Sequence, residues 1–280
     1  MPMKPAEKRK LEDVALRIRE SIIETTLACG GSHLGGALSQ TDILVALYYK
    51  YMKIDPKKPD WADRDRFILS KGHGGVGHAA ILADLNFVEP KELKKFNKTG
   101  SPFGMHLDCL KVRGVDASTG SLGHGLGIGI GMALGARLTG QTWRVYVVMG
   151  DGEQNAGPVW EAAQAAAHYK VVNMTTFIDR NQLCIDGRTE KVMAIEPLRD
   201  KYEAFGWRVV EINGHDFQEI GDAIEQSQAE KEKPFMIIAN TIKGKGVDFM
   251  EDKAPWHYAG LDDEMAKKAL ASLRKGAKNG

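Results

Sequence analysis

Apolar positions along the chain follow two rhythms. Between residues 7 and 28 they fall at Leu11, Val14, Leu16, Ile18, Ile22 and Ile23, a spacing that keeps one side of a helix apolar. Gly30 and Gly31 then stop it. Helices are also predicted over 39–52, 78–87, 121–138, 158–169, 195–205 and 216–230. The second rhythm is the short apolar run: "RVYVVM" (144–149), "NMTTFID" (173–179), "WRVVEI" (207–212), "FMIIANT" (235–241) and the briefer "RFILS" (66–70). Apolar strands alternating with helices predict an α/β fold, a doubly wound, mostly parallel sheet with helices on both faces. Residues 97–120 show neither rhythm. Residues 262–280, "DDEMAKKALASLRKGAKNG", read as a helix with a frayed basic tail. No linker, repeat or low-complexity tract divides the chain, so residues 1–280 read as one domain.

Composition narrows the function classes. Lys and Arg number 38 and Asp and Glu 37, a formal charge of +1, which gives no argument for nucleic acid or an anionic membrane as main partner. No run of about 18 apolar residues is present to span a bilayer. Cys29, Cys109 and Cys184 form no CxxC pair, so buried thiols in a reducing cytoplasm are expected. Glycine supplies 31 of the 280 residues, above the typical ~7%, and it clusters in a few loops. That clustering points to close backbone approach to a ligand.

In a doubly wound sheet, ligands gather at the C-terminal ends of the strands. One predicted strand runs into Gly150-Asp151-Gly152, and the next into Asp179-Arg180-Asn181-Gln182. One strand–helix–strand unit separates Asp151 from Asn181, so adjacent parallel strands would bring the two together. A carboxylate, an amide oxygen and a main-chain carbonyl suit Mg²⁺ or Ca²⁺. Gly152 would let the backbone approach a diphosphate, and the helix opening at Gly157-Pro158 adds N–H donors. Two ordinary turns capped by Asp and Asn remain the alternative at this point.

The histidines bear on that choice. His33, His73, His106 and His257 each stand in a glycine-flanked or irregular segment near a predicted element boundary, a pattern expected of a polar pocket with proton-transferring groups. His78, His168 and His215 read as structural, and His124 is ambiguous. Lys71 and Lys243, both beside glycines, could pair with phosphate. No HExxH or Cys/His cluster suggests zinc.

These segments together resemble the N-terminal half of transketolase, an enzyme that moves a two-carbon ketol unit between sugar phosphates with thiamine diphosphate. The resemblance rests on "SHLGG", "DRFILSKGHG", "STGSLGHGLGIGIGMA", "GDGE" with "VWEAA", "DRNQL", "FGWRVVEINGHD" and "IKGKGVDFMEDKAPWH", from about residue 10 to 260. It implies that Asp151, Asn181 and the Leu183 carbonyl ligate Mg²⁺ (with Ca²⁺ as the alternative), and that Lys71, His73, Gly152 and Lys243 hold the cofactor's diphosphate end. Asn181 thereby contacts both metal and cofactor. It also places Gly120, Ser121 and Leu122 near the pyrimidine ring. The ketol hydroxyl would fall to His106, and the sugar oxygens and their protons to His33 and His257.

Two departures from the family's pattern matter. Nothing in 260–280 supplies the family's pyrimidine-binding and C-terminal domains. The resemblance therefore implies one subunit of a split transketolase, working with a second chain that carries those domains in an α2β2 heterotetramer. Ala156 stands where the family usually has a glutamate of an acidic network between cofactor sites, while a neighbouring family glutamate remains as Glu161. Weaker proton coupling between sites is expected, with Gln154 or Asn155 available to a bridging water. Other readings are a related thiamine-diphosphate enzyme with a different ketose or aldehyde and a non-catalytic binding remnant.

Overall fold

A computed structural model describes residues 3–279. Met1, Pro2 and Gly280, which the one-domain reading includes, lie outside the described residues. The elements run in the order α1 (Pro5–Cys29), α2 (Leu34–Ser39), α3 (Thr41–Ala46), β1 (Arg66–Leu69), α4 (Gly75–Asp84), α5 (Gly125–Leu138), β2 (Val145–Gly150), α6 (Gly157–His168) and β3 (Met174–Arg180). There follow a small hairpin of β4 (Leu183–Cys184) and β5 (Gly187–Arg188), then α7 (Thr189–Val192), α8 (Leu198–Ala204), β6 (Arg208–Asn213), α9 (Phe217–Ala229), β7 (Phe235–Asn240) and α10 (Asp263–Asn279).

Five strands form one sheet in the order β1-β2-β3-β7-β6, every neighbouring pair parallel. Side chains alternate between its two faces. Tyr146, Val148, Phe177, Phe235 and Ile237 join the core beneath α1–α4 and α9. Val147, Met149, Ile178, Met236 and Ile238 join the core beneath α5, α6 and α8. Both faces are dry, which is why these strands read as continuous apolar runs. The doubly wound α/β expectation holds, and "RFILS" proves to be the edge strand β1.

Several helix boundaries differ from those expected. The helix predicted over 39–52 is two short helices starting at Leu34, followed by a π-helical turn at Leu47–Tyr51. The "LGG" at its start is itself helical, and its first glycine is used for packing. A Cβ on Gly35 would stand 2.4 Å from the Trp256 carbonyl oxygen. The stretch expected over 121–138 becomes helical only at Gly125. Gly123 before it adopts φ +91°, with the Ala156 methyl packed where a Cβ would go. The tail expected to fray continues as α10 to Asn279. The three cysteines are free and half-buried, where buried thiols were expected.

Candidate functional site

The C-terminal ends of the central strands open onto a cavity of about 410 Å³. Register explains why. Gly150 pairs with Asp179 across β2 and β3, so the Gly150-Asp151-Gly152 turn and the Asp179-Arg180-Asn181 turn emerge side by side. Residues from far apart in sequence line the same space: His33, Lys71, His73, His106, Gly120, Leu122, Asp151, Gly152, Asn181, Leu183, Lys243 and His257. Of the residues given metal, cofactor or sugar roles from the resemblance, Ser121 alone does not. It borders an adjoining groove with His106 and His124.

The four loop histidines converge. The His33 ring lies 5.3 Å from His73, 6.3 Å from His106 and 5.4 Å from His257, centroid to centroid. His73 stacks on His257 at 5.3 Å. Burial, then the neighbouring positive groups, push the proton affinity of three of them down, His33 to about 4, His73 to about 2 and His257 to about 3. The rings of His33, His73 and His257 are therefore neutral at pH 7, each with a nitrogen able to give or to take a proton. The buried Nδ1 of His33 has no hydrogen-bond partner among the described residues.

Two ammonium groups stand beneath them. Lys71 Nζ donates to the Gly36 carbonyl at 3.0 Å and to the Asp179 carboxylate. Asp179, wholly buried, also accepts from Ser39 Oγ at 2.6 Å, Asn181 Nδ2 at 3.3 Å and Thr241 Oγ1. Burial raises the pKa of this carboxyl, but the Lys71 charge and these donors outweigh it and hold the pKa below the usual range. Lys243 Nζ donates to the Leu183 carbonyl at 2.7 Å and meets His257 Nδ1 at 2.9 Å. Burial first, and the like charge of Lys71 second, lower its pKa to about 8.

The oxygens expected to bind a metal are grouped here as well. Asp151 is 3% and Asn181 5% exposed. Asp151 Oδ1 accepts from Gly152 N at 2.8 Å, and Oδ2 from Gln182 N at 2.5 Å. Among the described residues no cluster of three or more His, Cys, Asp or Glu side chains could hold an ion. A metal here would draw on amide and main-chain oxygens besides the one carboxylate. That hard-oxygen set fits Mg²⁺, and the Leu183 carbonyl already binds a cationic group, the Lys243 ammonium. A Cβ on Gly152 would have only the Cys184 Cβ nearby, at 3.5 Å, which leaves the backbone open to a diphosphate.

Comparison with known proteins identifies the fold's lineage. The family model for the transketolase thiamine diphosphate binding domain matches residues 12–275. The chain belongs to the transketolase family. It is 42% identical to the 6-deoxy-6-sulfo-D-fructose transketolase subunit SqwG of a Clostridium species, over 95% of this chain and 96% of that protein. It is 38% identical to an apulose-4-phosphate transketolase subunit of Phocaeicola vulgatus, over 91% of this chain and 90% of that one. The crystal structure of Campylobacter jejuni transketolase superposes with a TM-score of 0.86 at 30% identity, over 99% of this chain. The chain spans 43% of the length of that transketolase.

Three neighbours of the transketolase-like motifs went unassigned in the sequence. Glu153 is buried on the cavity wall, and burial raises its pKa despite its donors. It accepts from Gly123 N at 2.8 Å, Gly150 N at 2.9 Å and Ser70 Oγ, tying three loops together. Asp179 anchors Lys71. Arg180 sits 3.3 Å from Asp151 Oδ2. The available signal was a charged residue at the end of an otherwise apolar strand. Gln154, offered as a partner for a bridging water, points elsewhere. Its Oε1 accepts from Tyr202 Oη at 2.7 Å and its Nε2 donates to the Gly150 carbonyl at 2.9 Å. Among the other histidines, His78 is buried and bonded to Tyr48 Oη at 2.7 Å. His215 links Asp42, at 2.7 Å, to Ile242 N, at 2.9 Å, and His168 is an exposed residue closing α6.

Proposed function

We propose that this chain is the cofactor-diphosphate-binding subunit of a two-chain transketolase. It would transfer a two-carbon ketol unit from a ketose phosphate, or from a ketose bearing another terminal acid group, to an aldose phosphate. The observation that carries this reading is the convergence of four histidines and two lysine side chains on one strand-end cavity. The relatives of matching length support the two-chain form, since both are named as subunits. Their printed substrates, a sulfo-fructose and apulose 4-phosphate, support a donor other than the common pentose phosphates.

Thiamine diphosphate, when bound, supplies the carbon nucleophile. This chain's residues do the rest. Asp151, Asn181 and the Leu183 carbonyl would hold Mg²⁺, while Lys71, His73, Gly152 and Lys243 neutralise and orient the diphosphate. Gly120, Ser121 and Leu122 would border the pyrimidine. His106 would bind the ketol hydroxyl, and His33 and His257 would give and take protons at the sugar oxygens. The partner would bring the pyrimidine-binding and C-terminal domains, completing an α2β2 assembly in the cytoplasm.

Reconstitution tests this. The chain is purified alone and together with the product of its neighbouring gene, and ketol transfer is assayed in both. Activity is expected only in the pair, and robust turnover by the single chain overturns the two-chain reading. In the active pair, Asp151→Ala should abolish retention of Mg²⁺ and thiamine diphosphate while the fold persists.

A further inference from the structure

Arg180 ends β3 one residue before Asn181, its side chain 6% exposed among four acceptors. Nη1 donates to Asp151 Oδ2 at 3.3 Å and to Thr189 Oγ1 at 2.8 Å. Nε and Nη2 both donate to Glu196 Oε1, at 3.1 and 2.8 Å, and Nη2 reaches Glu190 Oε1 at 3.4 Å. Those glutamates are fixed in turn. Glu190 accepts from the Ile195 and Glu196 main-chain N–H groups at 3.2 and 3.4 Å, and Glu196 from that of Leu198 at 2.7 Å. Residues 189–196 therefore wrap one guanidinium. Thr189, Val192 and Met193 of that segment line the cavity.

We propose that Arg180 is a positioning residue that fixes the Asp151 carboxylate for its metal and ties it to the 189–196 wall of the cavity. This deepens the proposed function and rests on it. With Gly152 N on one oxygen, and Gln182 N and Arg180 on the other, the carboxylate cannot rotate. Ligands held this way bind metal more tightly than free ones. Only a planar fork spans Asp151, Thr189 and Glu196 at once. A lysine carries the charge but not that geometry. Loosening the wall should therefore be felt at the metal, even from Glu196, whose side chain is 48% exposed and does not line the cavity.

The test uses the reconstituted pair of chains. Mn²⁺ is titrated at fixed thiamine diphosphate, and free Mn²⁺ is read by electron paramagnetic resonance. Denaturation curves confirm that each variant is folded at the titration temperature. Arg180→Met should weaken Mn²⁺ binding about ten- to a hundredfold, Arg180→Lys should fail to restore it, and Glu196→Gln should show a smaller loss in the same direction. Unchanged binding in Arg180→Met, with binding lost in Asp151→Ala, overturns this inference alone. Full rescue by lysine would reduce the role to charge and overturn the positioning. Unchanged binding in Glu196→Gln overturns the tie to the wall, and that variant carries the test if Arg180→Met does not fold. Unchanged binding in Asp151→Ala overturns the metal reading itself.

Discussion

On the floor of the cavity, Asp179 collects donors from Ser39, Lys71, Asn181 and Thr241, and no solvent reaches it. At the rim, Leu122, Ile185, Val192 and Met193 stand 39 to 67% exposed and line the same space. The floor satisfies its polar groups internally, so it is finished within this chain. The rim leaves apolar surface in water, the mark of a surface that another body covers. Sequence distance separates them too. The floor draws on α2, β1, β3 and the end of β7, whereas most of the rim comes from residues 183–193.

The sharpest way to break the contrast is to remove one charge from the floor. Lys71→Met strands Asp179 without its counter-ion and should cost about 3–5 kcal/mol. The double change with Asp179→Leu should recover part of that, and chemical denaturation measures both. A loss in the double variant equal to the sum of the losses in Lys71→Met and Asp179→Leu taken singly would show that the pair is not coupled.

A smaller effect is expected from pH. His78 packs edge-on against Phe67 of β1, and burial alone lowers its pKa to about 3, against about 6.5 in the unfolded chain. The folded state thus resists a proton that the unfolded chain accepts. Stability is fully present above pH 6.5 and is lost as pH falls toward 3. Between pH 7 and 5 the unmodified protein should lose about 2 kcal/mol more than His78→Gln. Parallel pH profiles would deny His78 that role.

The rim should respond least in stability and most in assembly. Ile185→Lys should change folding free energy by no more than about 0.5 kcal/mol, yet weaken association with the partner chain in sedimentation. A variant that unfolds, or one that assembles normally, would remove the distinction between floor and rim.

The sheet was legible because strands buried on both faces carry unbroken apolar runs, and because strand ends are where charged and glycine residues cluster. His33, His73, His106 and His257 could be grouped from their loop settings alone. What escaped depended on contacts rather than pattern. The helix at Leu34–Ser39 was not among those expected, since nothing local announces that the Trp256 carbonyl will lie against Gly35. Arg180 and Glu153 were in plain view, but their partners at Glu190, Glu196, Ser70 and Gly123 lie in other loops. Ser121, counted with Gly120 and Leu122, borders the neighbouring groove, a placement that the irregular 97–120 stretch before it gave no pattern to predict.

The contact between Gly35 and Trp256 has a consequence for how the molecule comes into being. With the paired hydrogen bonds between Ser32 and Ala259, each 3.1 Å long, it clasps the segment before α2 to the one before α10, far apart in sequence. His33 and His257 flank that clasp and face one another only when it has closed. Loops joining such distant segments are slow to form, and a ribosome delivers the second half of the clasp long after the first. No fragment lacking either half of the clasp can present the complete group of four histidines.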